Sequence, residues 1–335
     1  MPHTVLKMSA AIVVLTAFSL AGCQASTSTA ESPFVSQKTE TQAVKADKSH
    51  AKANKDQTKT EKKPAAPKLK LHDIGHNLHV IFGPGGNVGV SKGADGVVII
   101  DDKFERNSDE VLSLLASLTD EPLRFVMNTH YHGDHTGGNG RMKSTGATIV
   151  AHDNVRKRMS MRIENKLFNR TSEPAPKENW PSVTFSGDMT FHMNGHTVTM
   201  LHTPGHTDGD SLIYFKEANV IHMGDNFFNG LFPYIDIDAG GSVAGMIAAH
   251  DRALSLADDN TQIIPGHGPM ATPADLQKAR DMLVDIMARV KARIDAGDSL
   301  ETLIESNILQ DYADYARFIN EDKMIRIAHR SLSNK

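Results

Sequence analysis

Apolar positions in this chain fall into short blocks separated by turn-forming residues. The segment LHVIFGPGGNVGVSKGADGVVIIDD holds three apolar runs split by GPGGN and KGADG, which predicts three strands joined by turns. SDEVLSLLASL has helical spacing, with Ser108 as its predicted N-cap and Glu110 in the first turn. LRFVMN and GATIVAH read as buried strands, and NVRKRMSMRIENKLF as a helix between GATIVAH and the next strands. MTFHMNGHTVTMLHTPGH is a hairpin turning on Asn194-Gly195, a strong two-residue turn signal. SLIYF and NVIHMGD add strands, SVAGMIAAHDRALSL a helix, and TQIIPGHGP a strand running into a loop. Strand runs interleaved with helices predict an α/β fold of sheet layers covered by helices.

The two ends break this pattern. AAIVVLTAFSLAG, behind Lys7, is an apolar run too short to span a bilayer comfortably, and it ends in small residues as a signal peptide does. Its junction LAGC resembles the lipobox of bacterial lipoproteins. That resemblance implies a signal peptide over residues 1–22 and a lipid-carrying Cys23 that tethers the protein to the membrane. Gln24 after the cysteine favours the outer membrane of a Gram-negative envelope. Residues 23–68 are rich in Lys, Thr, Ser and Ala with almost no large apolar side chains, so they read as a disordered tether. At the other end, residues 272–335 read as helical. Thr272 is the predicted N-cap, Pro273 the first helical residue and Gly297 the stop, with Leu276, Ala279, Leu283, Ile286, Val290 and Ile294 as an apolar stripe. SLETLIESN and DYARFINEDKMIRIAHRSL read as further short helices. Residues 69–271 remain as the catalytic domain, enough chain for one large core.

Composition narrows the chemistry. A net charge of −4 over 335 residues gives no reason to expect a nucleic-acid partner. Cys23 is the only cysteine, so the globular part has no disulfide, no thiolate ligand and no cysteine nucleophile. Histidine is where the information lies. In VMNTHYHGDHTGG, His130 and His132 alternate on a segment leaving a strand, so both imidazoles can reach one ion. Asp134 continues the alternation and His135 points elsewhere, toward a second ion. His206 in TPGHT, Asp225 in MGDN and His267 in PGHGP each stand just past an apolar strand. A sheet delivers side chains from such positions to one rim, where active sites of α/β proteins collect.

THYHGDH, TPGHT, GD and PGHG, in this order, resemble the metallo-β-lactamase superfamily over roughly residues 69–271. The resemblance implies a four-layer αβ/βα sandwich with two zinc ions at the edge between its sheets. It assigns His130, His132 and His206 to the first ion, Asp134, His135 and His267 to the second, and Asp225 as the bridge. Asp101, or its neighbour Asp102, would support these ligands from behind. Such a set suits zinc, although iron or manganese also tolerates it. Two such ions hold a hydroxide that attacks a carbonyl carbon, with Asp134 orienting it and handling its proton.

Among the other histidines, His202, His222 and His250 read as packed core groups, and His152 as a candidate support for a ligand. Met159, Met161, Met246 and Met282 read as core filling on helices. GPGGN resembles a substrate-covering flap made mobile by Gly85, Gly86 and Asn87. Phe227, Phe228, Phe232 and Tyr234 are expected near the metal edge, with Tyr131, Phe228 and Asn229 as candidate substrate contacts. Departures from the family pattern matter for substrate. An aspartate stands where antibiotic-hydrolysing members carry cysteine or serine, and Phe228 stands where some carry a lysine. Asp225 instead resembles the thioesterase, lactonase and glyoxalase II branch, although an evident Arg/Lys constellation for glutathione is lacking. The expected function is a dizinc hydrolase of a small carbonyl substrate, an amide, lactam, lactone or thioester, facing the cell envelope. The alternatives are an iron-dependent redox member, disfavoured because no flavin-binding domain follows, and an assembly lipoprotein with a vestigial site.

Overall fold

The computed structural model describes residues 69–333. In chain order the strands are β1 (Lys70–Gly75), β2 (Leu78–Phe82), β3 (Val88–Gly93), β4 (Gly96–Ile100), β5 (Leu123–Met127), β6 (Thr148–His152), β7 (Ile163–Asn165), β8 (Arg170–Ser172), β9 (Val183–Phe185), β10 (Met189–Met193), β11 (His196–His202), β12 (Ser211–Phe215), β13 (Val220–Phe228) and β14 (Gln262–His267). The helices are α1 (Ser108–Leu118), α2 (Gly133–Thr136), α3 (Asn139–Lys143), α4 (Asp153–Met159), α5 (Val243–Leu254), α6 (Pro273–Asp295), α7 (Leu300–Glu305) and α8 (Glu321–Ser333). The signal, Cys23 and tether readings lie outside the described residues.

Seven strands form one sheet in the order β1-β2-β3-β4-β5-β6-β9, and five form a second in the order β10-β11-β12-β13-β14. The first is antiparallel through β4 and parallel beyond it; the second is antiparallel except for the parallel β13–β14 pair. Alternation along the strands makes the layers. Val80, Val98, Ile100 and Met127 of the first sheet meet Val198, Met200, Ile213 and Ile264 of the second in a shared core. The opposite face of the first sheet, Ile81, Val90, Ile99 and Val126, packs on Val111 and Leu115 of α1 and Met142 of α3. The far face of the second, Leu212, Ile221 and Ile263, packs on Ala253 of α5 and on Leu276 and Ala279 of α6. This is the four-layer αβ/βα sandwich.

Local chemistry explains most boundaries. Asn194 and Gly195 both take positive φ (53° and 80°) between β10 and β11, as a two-residue turn of this hand requires. Thr272 and Asp275 form a reciprocal capping box at the start of α6. Its buried positions include Leu276, Ala279, Leu283, Ile286 and Val290, and α8 packs Met324, Ile325 and Ile327 into the same extension.

Four expectations are corrected. Ser108 is the first residue of α1 rather than its cap, and its hydroxyl donates to the Glu105 carbonyl at 2.7 Å. The helix expected to run on through Phe168 stops at Met159, and the rest folds into the β7–β8 hairpin. Turn chemistry overrides the apolar spacing there: the Asn165 side chain accepts from the Phe168 N–H at 3.1 Å, and Asn169 takes φ 46°. Met161 is accordingly 41% exposed rather than core filling. The last helix begins at Glu321, after a 3₁₀ segment over Gln310–Tyr315.

Candidate metal centre

Beyond β5 the chain stays extended through His132 (φ −64°, ψ 146°), so His130 and His132 face the same way. The alternation expected to reach Asp134 stops there. The single turn of α2 begins instead, and it swings Asp134 and His135 toward a neighbouring position. The second sheet supplies His206 from the loop after β11, Asp225 from within β13, and His267 from the end of β14. The result is two adjoining groups, His130, His132, His206 and Asp225 beside Asp134, His135 and His267.

Asp225 lies between them. Its Oδ2 is 3.7 Å from His130 Nε2 and 3.6 Å from His206 Nε2, while its Oδ1 is 3.0 Å from His135 Nε2 and 3.4 Å from His267 Nε2. Asp134 Oδ2 stands 3.4 Å from His267 Nε2 and 3.8 Å from His135 Nε2.

The nitrogen of each imidazole that faces away from the cluster settles which nitrogen faces in. His206 Nδ1 donates to the Tyr234 carbonyl at 2.7 Å, and His135 Nδ1 to Asp101 Oδ2 at 2.7 Å. His132 Nε2 donates to Asp236 Oδ2 at 3.1 Å, which turns its Nδ1 inward, 2.8 Å from His206 Nε2. His130 Nδ1 meets the Thr129 hydroxyl at 3.0 Å, and that hydroxyl in turn donates to Asp101 Oδ2 at 2.8 Å. The inward His130 Nε2 is buried without a hydrogen-bond partner. Buried polar atoms are rarely left so, and donors of this kind converging on two points fit a pair of metal ions.

The electrostatics agree. Burial pushes the His130 and His206 imidazoles down, His206 to about 4, so both offer neutral nitrogens. Burial acts the same way on His135 and His267, but Asp225 above all outweighs it, holding His135 well above the ordinary range and His267 at about 9. Burial would raise the Asp134 carboxyl, yet His135 and His267 hold it at about 2. Without cations, protons on two imidazoles balance the carboxylates; metal binding would displace them.

Asp236 escaped the sequence reading. It is 1% exposed, accepts the Tyr131 hydroxyl at 2.7 Å as well as His132, and caps the turn that follows it. The available signal was an acid isolated in the apolar run GLFPYIDI. Between the two candidates behind the ligands, Asp101 touches His135, whereas Asp102 accepts the Gly138 N–H at 2.9 Å.

The GPGGN segment, expected as a flap, is held by a set of hydrogen bonds. Gly86 N–H donates to the Asp134 carbonyl and Asn87 N–H to that of Gly266. The Asn87 side chain reaches the Pro265 and Gly268 carbonyls, His222 Nε2 donates to the Asn87 carbonyl, and the buried Lys103 Nζ donates to that of Gly86 at 2.6 Å. A Cβ on Gly86 would stand 2.1 Å from the His135 ring, so only glycine allows the imidazole its place.

A cavity of about 740 Å³ opens beside the cluster, with Tyr131, Phe228, Phe232 and Tyr234 in its lining. Phe228 lies flat on the His267 ring at 5.1 Å. Three expected neighbours are elsewhere. Asn229 does not line the cavity, because its side chain donates to the Pro269 and Met270 carbonyls. Phe227 faces the other side of β13 and packs against His250. His152 supports no ligand: its ring stacks on His202 at 3.7 Å and its Nδ1 caps α4.

Two facing sheets, flanked by helices and carrying a histidine–aspartate cluster on their shared rim, define a metallohydrolase sandwich. Residues 80–285, more than half of the chain, match the metallo-beta-lactamase superfamily, and the chain belongs to it. It is 28% identical over 175 residues to a hydroxyacylglutathione hydrolase of Nitrosococcus oceani, a match covering 50% of this chain and 59% of that protein. It is 25% identical over 150 residues to the probable metallo-hydrolase YqgX of Bacillus subtilis, covering 43% and 68%. Among solved structures, a metallo-beta-lactamase from Pontibacter korlensis superimposes with a TM-score of 0.55 at 18% identity, covering 64% of this chain and 99% of that one.

Proposed function

We propose that this chain is a dizinc hydrolase of ester or thioester carbonyls, lipid-anchored through Cys23 and working in the bacterial cell envelope. One observation carries the reading: the two oxygens of Asp225 divide between two groups of inward-facing imidazoles whose other nitrogens are committed to acceptors. Two divalent cations held there supply acidification of a water and polarisation of a carbonyl.

The chain's own residues do the rest. His130, His132 and His206 hold one ion, and Asp134, His135 and His267 the other. The Asp134 carboxylate lines the cavity and can take a proton from the attacking water. The water oxygen bonds to the carbonyl carbon, the C–O or C–S bond breaks, and the proton passes to the leaving oxygen or sulfur. A thioester or ester is favoured over a β-lactam because an aspartate occupies the bridging place and Phe228 leaves no cation there for a substrate carboxylate. The resemblance to a hydroxyacylglutathione hydrolase supports the same branch.

The test is metal analysis with a turnover panel of a cephalosporin, a penicillin, an acyl-homoserine lactone, S-lactoylglutathione and a phosphodiester. We expect two zinc ions per chain and chelator-sensitive turnover of an ester or thioester. A single ion under zinc-replete conditions, or turnover of the phosphodiester alone, would overturn the reading. Cys23→Ser should release the protein from membranes, and unchanged membrane fractionation would remove the anchor.

A further inference from the structure

The cavity beside the cluster is much larger than the reacting atoms require, and its character changes with distance from them. Its floor is His132, Asp134, Asp225 and His267. Away from the floor the walls are side chains of Met159, Ile163, Phe168, Leu231, Phe232 and Phe318. The polar groups among these walls are already engaged. Arg158 is bound bidentately to Asp208 at 3.1 and 2.7 Å, the Tyr131 hydroxyl is bonded to Asp236, and the Tyr234 hydroxyl to the Asn165 side chain. Arg170, Ser172 and Glu173, which also line the cavity, sit on exposed positions of the β8 strand and just after it, toward solvent.

Two distant parts of the chain close the outer wall. The tip of the β7–β8 hairpin places Phe168 5.3 Å from Phe318 in a stacked pair and 5.3 Å from Tyr234, with Lys323 Nζ 5.1 Å over the Phe168 ring. The hairpin is pinned there, because Lys166 N–H donates to Asp238 at 2.8 Å. Four large hydrophobic side chains are exposed among the described residues, and two of them, Phe318 (66%) and Met161 (41%), line this one cavity. Apolar surface gathered at a cavity mouth marks a place where something apolar sits, and the volume lies within the usual range for small-molecule sites.

We propose that this cavity takes an unbranched aliphatic acyl chain, with the ester or thioester carbonyl at the cluster and Phe168 and Phe318 as the side chains that set chain-length preference. Cleavage then releases a medium- or long-chain carboxylic acid. The chemistry rests on the hydrolase reading above; the selectivity rests on the cavity. Aromatic faces and thioether-bearing walls bury a methylene chain well, and the polar groups set among them, Arg158, Tyr131 and Tyr234, are already bonded elsewhere. Burial of each CH₂ corresponds to roughly a fourfold gain in affinity.

The test uses p-nitrophenyl acetate, butyrate, octanoate and dodecanoate with the metal-loaded full chain, together with calorimetric binding of 1-octanol and 1-butanol to metal-free protein. We expect kcat/KM to rise about two- to fourfold per methylene up to octanoate, mainly through KM, and 1-octanol to bind at least tenfold tighter than 1-butanol. Phe318→Ala and Phe168→Ala should each lower the octanoate-to-acetate ratio and the octanol-to-butanol ratio at least threefold. Phe318 is exposed, so its replacement leaves the packed core alone. Turnover of every ester with no chain-length dependence would overturn the cavity proposal and leave the hydrolase reading standing. No turnover of any ester, with octanol binding that both substitutions weaken, would leave the apolar site and remove the hydrolase. Equal binding of the two alcohols would overturn the proposal whatever the esters do.

Discussion

Asp134 and Asp236 show how differently two carboxylates act on one cluster. Asp134 faces the cavity, and Asp134→Asn should lose about 10²-fold or more in kcat, the scale of a proton-handling group, while retaining much of its metal. Single-turnover kinetics beside elemental analysis separates the two effects. Asp236 acts through its neighbours: it holds the outward nitrogen of His132 and the Tyr131 hydroxyl. Asp236→Ala should weaken metal affinity about 10- to 100-fold, measured by chelator competition, whereas Tyr131→Phe keeps the His132 bond and should change affinity less than threefold. Equal losses in the two variants would show that the His132 contact is not what matters. The seven clustered residues were legible in the sequence because each sits in a short motif beside an apolar strand run, although Asp225 proves to lie within β13 rather than past its end. Asp236 was not, since it acts by contact with a residue more than a hundred positions earlier and belongs to no repeating spacing.

At the level of elements, the same contrast holds. The β10–β11 turn was readable because Asn-Gly supplies positive φ at both positions, a purely local requirement. The β7–β8 hairpin was not, because MRIENKLF has helical apolar spacing that masks its Asn165 and Asn169 turn, and bonds to Tyr234 and Asp238, far along the chain, add to that turn. Glycine-rich GPGGN shows the opposite case: local composition suggests mobility, while hydrogen bonds from Asn87, His222 and Lys103, two of them far along the chain or buried, hold the segment. Gly86→Ala therefore becomes a sharp test. A methyl 2.1 Å from the His135 ring must displace either the ring or the segment, at about 1–3 kcal/mol. Denaturant titration should show that loss, and of the two ions proposed, the one at Asp134, His135 and His267 should be lost first. A variant as stable and as metal-replete as the parent would mean the segment yields freely.

For the whole molecule, buried imidazoles outside the cluster set an acid limit. Burial pushes His222 and His250 down to about 4, each with its Nε2–H on a backbone carbonyl. Unfolded histidine titrates near 6.5, so their contribution is complete above that pH and is lost as pH falls toward 4. At pH 5 each should cost on the order of 1–2 kcal/mol. Urea unfolding of chelator-treated protein at pH 7.5 and pH 5 checks this. His250→Gln, which can still donate to the Asn226 carbonyl, should flatten the slope, and an unchanged slope would assign it to other groups. The placement of the cluster has one more consequence, in time rather than space. Four of its members, His130 to His135, belong to the half made first, and His206, Asp225 and His267 to the half made later. A chain emerging from its N-terminal end presents an open, four-membered claw, and the seventh member arrives only when β14 is laid beside β13. Firm retention of a cation thus certifies that both halves have been built and joined, so a chelator-resistant ion reports completed assembly before any substrate is known.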